Sequence, residues 1–218
     1  MKKICIFGTG SFAKLLNWYI ENDTDKDIDF FCVEDDFYKE EEFCGKKVKK
    51  YSEVLMMENH KEIEILLGIG YRNMNNTRKR IFEMCKKDGF CIGTYIHSSC
   101  IINTTDLGEG NIILENSLIE PFSQIGDGNL IWCNVTIAHD NCIGDYNTLA
   151  GCSSLCGNVN IGNNCFVGNS ATIKDGVTVA DYTLIGAASF LNKNTDKYNV
   201  VSSKAADVFK EKKSVEYI

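Results

Sequence analysis

Aliphatic residues fall at every sixth position from Ile101 to Leu191 without interruption, always as Ile, Leu or Val. A second series, four residues further on, is mostly small and includes Ser117, Ser123, Val135, Ser153, Cys165, Ala171, Val177 and Thr183. Neither the 3.6-residue period of a helix nor the two-residue alternation of a long strand produces this pattern. An unbroken short period marks a solenoid, in which each repeat buries its apolar side only by stacking on its neighbours. Six residues make one short strand and one turn, so three repeats close a triangular coil. Coils stack at the strand spacing of about 4.8 Å. Residues 101–191 supply about five of them. Both series point inward, and glycines directly after the aliphatic, as at Gly108, Gly126, Gly144 and Gly162, suit the turns between faces.

The first part of the chain is patterned differently. Residues 3–7 read as a buried strand, followed by the GxGxxA turn Gly8-Thr9-Gly10-Ser11-Phe12-Ala13 and a helix from Ala13 to about Ile20. Residues 29–33 read as a second strand ending in Glu34-Asp35-Asp36, and a short strand follows near Lys47–Lys49. Residues 62–68 form a buried run entering Gly68-Ile69-Gly70. Residues 75–87 form a helix with charges on one face, and residues 90–96 form a last strand. Strands alternating with helices imply a small parallel sheet. The expected organisation is an α/β domain over residues 1–97 and a solenoid domain with a C-terminal tail over 98–218.

Composition narrows the functional classes. The formal net charge of −7 disfavours nucleic acid and anionic membranes, which need a cationic surface. No apolar run reaches the length of a membrane span, and the stretch before Gly8 is too short for a signal-peptide core, so a cytoplasmic protein is expected. The 11 cysteines are odd in number, irregular in spacing and form no paired CxxC motifs, which argues against structural zinc. Cys5, Cys32, Cys91 and Cys165 read as small buried hydrophobes.

Two places carry chemistry. The glycine turn lets a phosphate approach backbone and points helix N–H groups at it, and acidic residues ending the second strand can hydrogen-bond a ribose. At roughly 95 residues the domain is too small for a full dinucleotide fold, so a mononucleotide or nucleotide sugar fits better than NAD; a plain strand–helix turn is the competing reading. Of the three histidines, His60 reads as a surface residue and His97 as a linker or capping residue at the domain junction. His139 lies two residues past the inward Ile137, so its ring projects outward near a corner. Asp140 follows at once; a carboxylate there fixes the imidazole tautomer and raises its basicity. Gly157, 18 residues on, falls one coil above His139. Its unobstructed N–H suits a tetrahedral oxyanion beside a general base. A surface histidine and a turn glycine are the alternatives.

Taken together, Gly8–Ala13, Glu34-Asp35-Asp36, Tyr95-Ile96-His97-Ser98, Ile137–Tyr146 and Gly157–Gly168 resemble bacterial hexapeptide-repeat sugar acetyltransferases. The type is that of the sialic acid O-acetyltransferases and UDP-4-amino-sugar N-acetyltransferases, and the resemblance covers nearly the whole chain. It implies a small Rossmann-like α/β domain followed by a left-handed parallel β-helix. It also implies a homotrimer with active sites between neighbouring prisms, and acetyl-CoA as co-substrate. His139 would be the general base, Asp140 its orienting partner, and the Gly157 N–H would bind the thioester oxygen. Asn169, Ser170, Ala187 and Ala188 would line the pantetheine groove. Gly8, Gly10, Asp35 and Asp36 would contact the nucleotide of the acceptor, and no metal is implied. Phe12, Trp132 and Thr148 stand where the family carries a histidine, an asparagine and a histidine. Phe12 and Trp132 would stack on a base or sugar or close the acceptor pocket. The implied reaction is N-acetylation of a nucleotide-linked amino sugar for surface glycan synthesis. O-acetylation of a sialic acid or another surface sugar is the alternative. A metal-dependent hydratase needs about three converging histidines, whereas the repeats hold one. A non-catalytic scaffold would bind no CoA.

Overall fold

The structure, a computed structural model, describes residues 3–204 and Val215; the rest of the expected C-terminal tail lies outside the described residues. The first unit is a sheet of β1 (Ile4–Phe7), β2 (Phe30–Val33), β3 (Glu42–Phe43), β4 (Lys46–Lys50), β5 (Glu64–Leu67) and β6 (Cys91–Ile92). Its order is β3-β4-β2-β1-β5-β6, with all pairs parallel except β3–β4. Helices α1 (Ser11–Asp23), α2 (Tyr51–Leu55) and α3 (Asn76–Lys87) connect the parallel strands. The β3–β4 hairpin is not foreseen from the sequence; its turn, Cys44-Gly45, has both residues at positive φ, as a tight hairpin requires.

The strand order reverses between β1 and β5, so two glycine turns meet at their carboxyl ends. Gly8 has φ +117°, and a Cβ there would stand 3.0 Å from the Gly68 carbonyl oxygen. A Cβ on Gly68 would lie 2.7 Å from both Ala13 Cβ and Ile6 Cγ2. A side chain on Gly68 would push α1 off the sheet, and one on Gly8 would part the two turns.

The expected strand over residues 90–96 is in fact two. After β6 the chain turns at Gly93-Thr94, and β7 (Tyr95–Ile96) pairs with Ile112–Ile113 as the first rung of a second unit. Gly93 passes so close to β5 that a Cβ would sit 2.8 Å from a Leu66 methyl. The second unit is a three-sided column of two-residue parallel strands. Its first face carries Ile113, Ile131, Leu149, Val167, Ile185 and Val201; its second Ile119, Ile137, Leu155, Ile173 and Leu191; its third Ile125, Ile143, Ile161 and Val179. Between Leu107 and Leu191 each strand pairs with the one 18 residues away, as Ile119 with Ile137 and Ile137 with Leu155; the step is 17 residues at the start (Ile96 with Ile113, Ile102 with Ile119) and 16 at the end (Ile185 with Val201).

The six-residue series starts one rung later than the sequence suggests. Ile101 is 57% exposed on the outside of the second face. Ile102 takes the rung beneath Ile119 instead. Only five residues separate Ile102 from Leu107, and from Leu107, opposite Ile125, the period holds. The small inward series is buried as expected, but it also contains asparagines. Asn111, Asn129 and Asn147 form a ladder up one corner, each side-chain oxygen accepting the backbone N–H 18 residues later at 2.7–2.8 Å. Truncating the fully buried Leu155 to Ala should cost about 2–5 kcal/mol, read by denaturant unfolding, because neighbouring rungs cannot collapse into the gap.

The first unit packs on the first face. Ile112, Leu114 and Leu130 complete its core with Ala13, Leu16 and Ile20. One charge of α3, Arg78, is fully buried, which the expected helix with charges on one face does not anticipate. Its guanidinium donates to the carbonyl oxygens of Gly128 (2.8 Å), Gly70 (3.1 Å), Tyr146 (3.2 Å) and Asn147 (2.8 Å) and to the Thr148 hydroxyl (3.2 Å). The neighbouring Asn75 donates to the Cys165 carbonyl at 3.0 Å and accepts from the Thr148 hydroxyl at 2.7 Å. Thr148 is therefore part of the seam between the units. At the other end of the seam Tyr19 donates to Glu115 at 2.5 Å, and Asp23 accepts from the Tyr95 hydroxyl at 2.8 Å and from the Ser98 N–H and hydroxyl. His97 joins this cluster, its Nε2 lying 3.5 Å from Asp23.

Candidate functional site

His139 sits at the corner between the second and third faces, immediately after the strand Thr136–Ile137. Buried groups hold this corner. The Ala138 carbonyl accepts from the Ser123 hydroxyl at 2.8 Å and from the Asn141 amide at 2.5 Å, and the same amide reaches the Cys156 carbonyl at 3.1 Å. The His139 backbone N–H donates to Glu120 at 3.0 Å. Asp140 takes a left-handed φ of 57°, which turns its carboxylate back to His139 Nδ1 at 2.8 Å. With the Nδ1 proton committed to Asp140, Nε2 is the lone-pair nitrogen and has no hydrogen-bond partner among the described residues. The hydrogen bond and charge of Asp140, with smaller contributions from Glu120 and Asp175, raise the imidazole above the ordinary histidine range.

Gly157 lies directly above the ring. A Cβ there would stand 2.8 Å from Cε1 and 3.0 Å from Nε2 of His139, so any side chain would displace the ring from this position. The chain alignment is held by the Asn158 N–H, which donates to the His139 carbonyl at 3.1 Å. Gly157 is buried, yet its N–H donates to no group among the described residues. An unpaired N–H beside a base is a ready donor for an incoming oxygen.

Asn169, Ser170, Ala187 and Ala188 form a second exposed edge, between the first and second faces. Ser170 and Ala188 are left-handed corners whose N–H groups donate to Gly151 at 3.0 Å and Asn169 at 2.8 Å. The N–H groups of Asn169 and Ala187 are unpaired among the described residues, leaving a row of amide donors at rung spacing. Within one chain this edge and His139 are not brought together: one whole face separates them, roughly 15–20 Å along a strand.

In the first unit, Gly10 is the N-cap of α1. A Cβ on it would meet nothing within 4 Å, no side chain caps the helix, and its first turn holds no acidic residue. Its free N–H groups and dipole suit an anion. Phe12 packs on Trp132 with ring centroids 5.6 Å apart, placing both in the seam where α1 meets the column. Trp132 adjoins Cys133, whose carbonyl accepts the Cys152 N–H, so the aromatic pair borders the edge that carries Asn169 and Ala187. Asp35 is committed elsewhere: Ser52 donates its N–H at 3.1 Å and its hydroxyl at 2.5 Å, which holds the carboxyl below the usual range. Asp36 is exposed and has no hydrogen-bond partner among the described residues. Glu34 forms a two-pronged pair with Arg80 at 2.6–2.7 Å.

Sequence reasoning misses Arg78, Asn75 and Asp175. A buried arginine in a lysine-rich helix looks like any surface charge, and Asp175 is recognisable only by stepping a second 18 residues from His139. Among the described residues no group of three or more metal-ligating side chains converges, and no helix is long and apolar enough to cross a membrane.

Residues 158–193 match the family model described as bacterial transferase hexapeptide (six repeats). In fold the chain is similar to the acetyltransferase domain of PglB from Neisseria gonorrhoeae (19% identity, TM-score 0.80, covering 92% of this chain and 96% of that one). It is similar to a histidine-to-alanine variant of GDP-perosamine N-acetyltransferase from Caulobacter crescentus solved with CoA and GDP-perosamine (22%, 0.81, 91% and 92%). It is also similar to WeeI from Acinetobacter baumannii (20%, 0.67, 91% and 93%). Residues 158–193 thus carry hexapeptide repeats, and over 91–92% of its length the chain has the fold of these three structures.

Proposed function

We propose that the protein is an acetyl-CoA-dependent N-acetyltransferase acting on an amino group of a nucleotide-linked sugar, in the cytoplasm and in service of surface glycan synthesis. One observation carries this reading: an imidazole with its Nδ1 bound by Asp140 lies against a glycine whose N–H lacks an acceptor among the described residues. His139 Nε2 takes a proton from the acceptor amine as the nitrogen attacks the thioester carbonyl. The Gly157 N–H hydrogen-bonds the oxyanion that forms. Collapse releases the CoA thiolate, which the imidazolium protonates, and no acyl-enzyme is needed.

The pantetheine arm runs along the Asn169–Ala188 edge, whose free amide donors fit a chain of amide groups. Since that edge and His139 border opposite sides of one face, the reaction needs an edge from one copy beside the corner of another, and we infer a homotrimer. The N-terminal sheet serves as a Rossmann-like nucleotide site, with phosphate over Gly8–Gly10 and Asp36 near the ribose, at the reversal of strand order. Phe12 and Trp132 wall the acceptor pocket. The solved likenesses support this: the Caulobacter enzyme binds CoA and GDP-perosamine, and the PglB domain binds acetyl-CoA.

The test is thiol release from acetyl-CoA with UDP-, dTDP- and GDP-linked amino sugars, with products mapped by mass spectrometry. Acetyl transfer to hydroxyls alone would establish O-acetylation instead. No thiol release and no thermal stabilisation by acetyl-CoA would leave a scaffold. The pH profile is a second test. Because the base must be neutral, kcat/KM should rise with pH through a limb set by the raised His139. Asp140→Asn removes the largest cause of that shift, so the limb should move to lower pH and the plateau should fall roughly tenfold. The acceptor's own titration is common to both proteins, so the difference isolates His139.

A further inference from the structure

Three carboxylates surround the imidazole. Asp140 holds Nδ1, Glu120 accepts the His139 backbone N–H, and Asp175 approaches from two rungs above. Asp175 reaches the ring only because Gly157, on the rung between, has no side chain. The point where a Gly157 Cβ would stand is 3.0 Å from His139 Nε2 and 3.1 Å from Asp175 Oδ2. About 6 Å is therefore the most that can separate the two, within the range at which a charge acts on its neighbour. They form no direct ion pair, so the gap exceeds the 4.0 Å limit of one. Asp175 is exposed and makes no hydrogen bond or ion pair through its side chain among the described residues. No lysine or arginine pairs with Asp140, Glu120 or Asp175 among the described residues.

A gap of this width, with a lone-pair nitrogen on one side and an unpaired carboxylate on the other, accommodates one ammonium hydrogen-bonded to both. We propose that Asp175 is the acceptor-binding residue that docks a protonated primary amine against His139, so that the site selects an ammonium over a hydroxyl. This rests on the transferase reading above and specifies its substrate class. The ammonium donates one N–H to Asp175 and one to Nε2. Nε2 takes that proton, and the freed nitrogen pair forms the C–N bond as the C–S bond breaks. The imidazolium proton passes to the CoA thiolate. The second nitrogen proton leaves to solvent as the amide forms, so the net reaction releases one proton. A hydroxyl acceptor has no positive charge for Asp175 to hold, and the three carboxylates give it no compensating gain.

The experiment compares an amino-sugar nucleotide with its hydroxyl counterpart, using acetyl-CoA and the intact oligomer of wild type and Asp175→Asn. Asparagine keeps the size of the side chain and removes the charge, and unchanged melting and oligomeric state show that the variant folds. Wild type should prefer the amine. The variant should raise the KM for the amine tenfold or more, lower its amine-to-hydroxyl ratio of kcat/KM by the same factor, and leave the KM for acetyl-CoA in place. Asp175→Glu should recover part of the ratio. An unchanged ratio in Asp175→Asn, or a wild type that prefers the hydroxyl, would overturn the role of Asp175 while leaving acetyl transfer standing. No thiol release by wild type with either acceptor would overturn the transferase reading and this one together.

Discussion

His139→Ala should keep the fold, the oligomer and acetyl-CoA binding, and should lower kcat/KM by about 10²–10⁴-fold, the usual contribution of a positioned general base. The imidazole is exposed, and its corner is pinned from inside by Ser123 and Asn141 rather than by the ring. Removing the ring therefore costs little structure. It also leaves the Gly157 N–H where it is, so residual turnover should reflect the amide donor and proximity alone. Steady-state kinetics with calorimetric titration of CoA separates the two effects. Wild-type turnover in the variant would refute the assignment; lost CoA binding would show that the ring supports the donor instead.

Arg78→Ala should destabilise the protein by about 3 kcal/mol or more, because it leaves several buried acceptors without a donor at about 1–3 kcal/mol each. Burial depresses the guanidinium, and the four carbonyls and one hydroxyl around it are what keep the charge tolerable. Deleting it strands those acceptors in the seam between the units. Lysine should not rescue, because a single ammonium cannot span a fork of acceptors on two units. The loss should appear in urea unfolding and, locally, as faster amide exchange over α3 and the Tyr146–Thr148 rung. A change under 1 kcal/mol would mean that water replaces the guanidinium at little cost.

The column is legible in the sequence because each of its positions faces either the interior or the outside in strict rotation. That rule is local, so the pairing of His139 with Gly157 follows from counting. It fails at Ile101, where the first coil is one residue short and nothing in the aliphatic pattern distinguishes Ile101 from Ile102. The seam is not legible. Arg78 and Asn75 are polar residues at surface-like spacing, and their burial depends on which face of the column meets α3. The acidic run after β2 is visible in the sequence, but the contact of Asp35 with Ser52, 17 residues on, depends on how α2 packs and is not. Phe12 and Trp132 are separate signals in the sequence, and only the docking of α1 makes them one surface.

The reacting groups and their proposed acceptor anchor occupy three consecutive turns of a repeating stack, spaced by one full revolution each. A whole revolution inserted above Asp175 would leave their mutual geometry untouched and lengthen only the donor track. A single inserted residue would rotate everything above it by a fraction of a face. The reach of the donor track can thus be set by whole coils, whereas one residue added between His139 and Asp175 would take the anchor off the base.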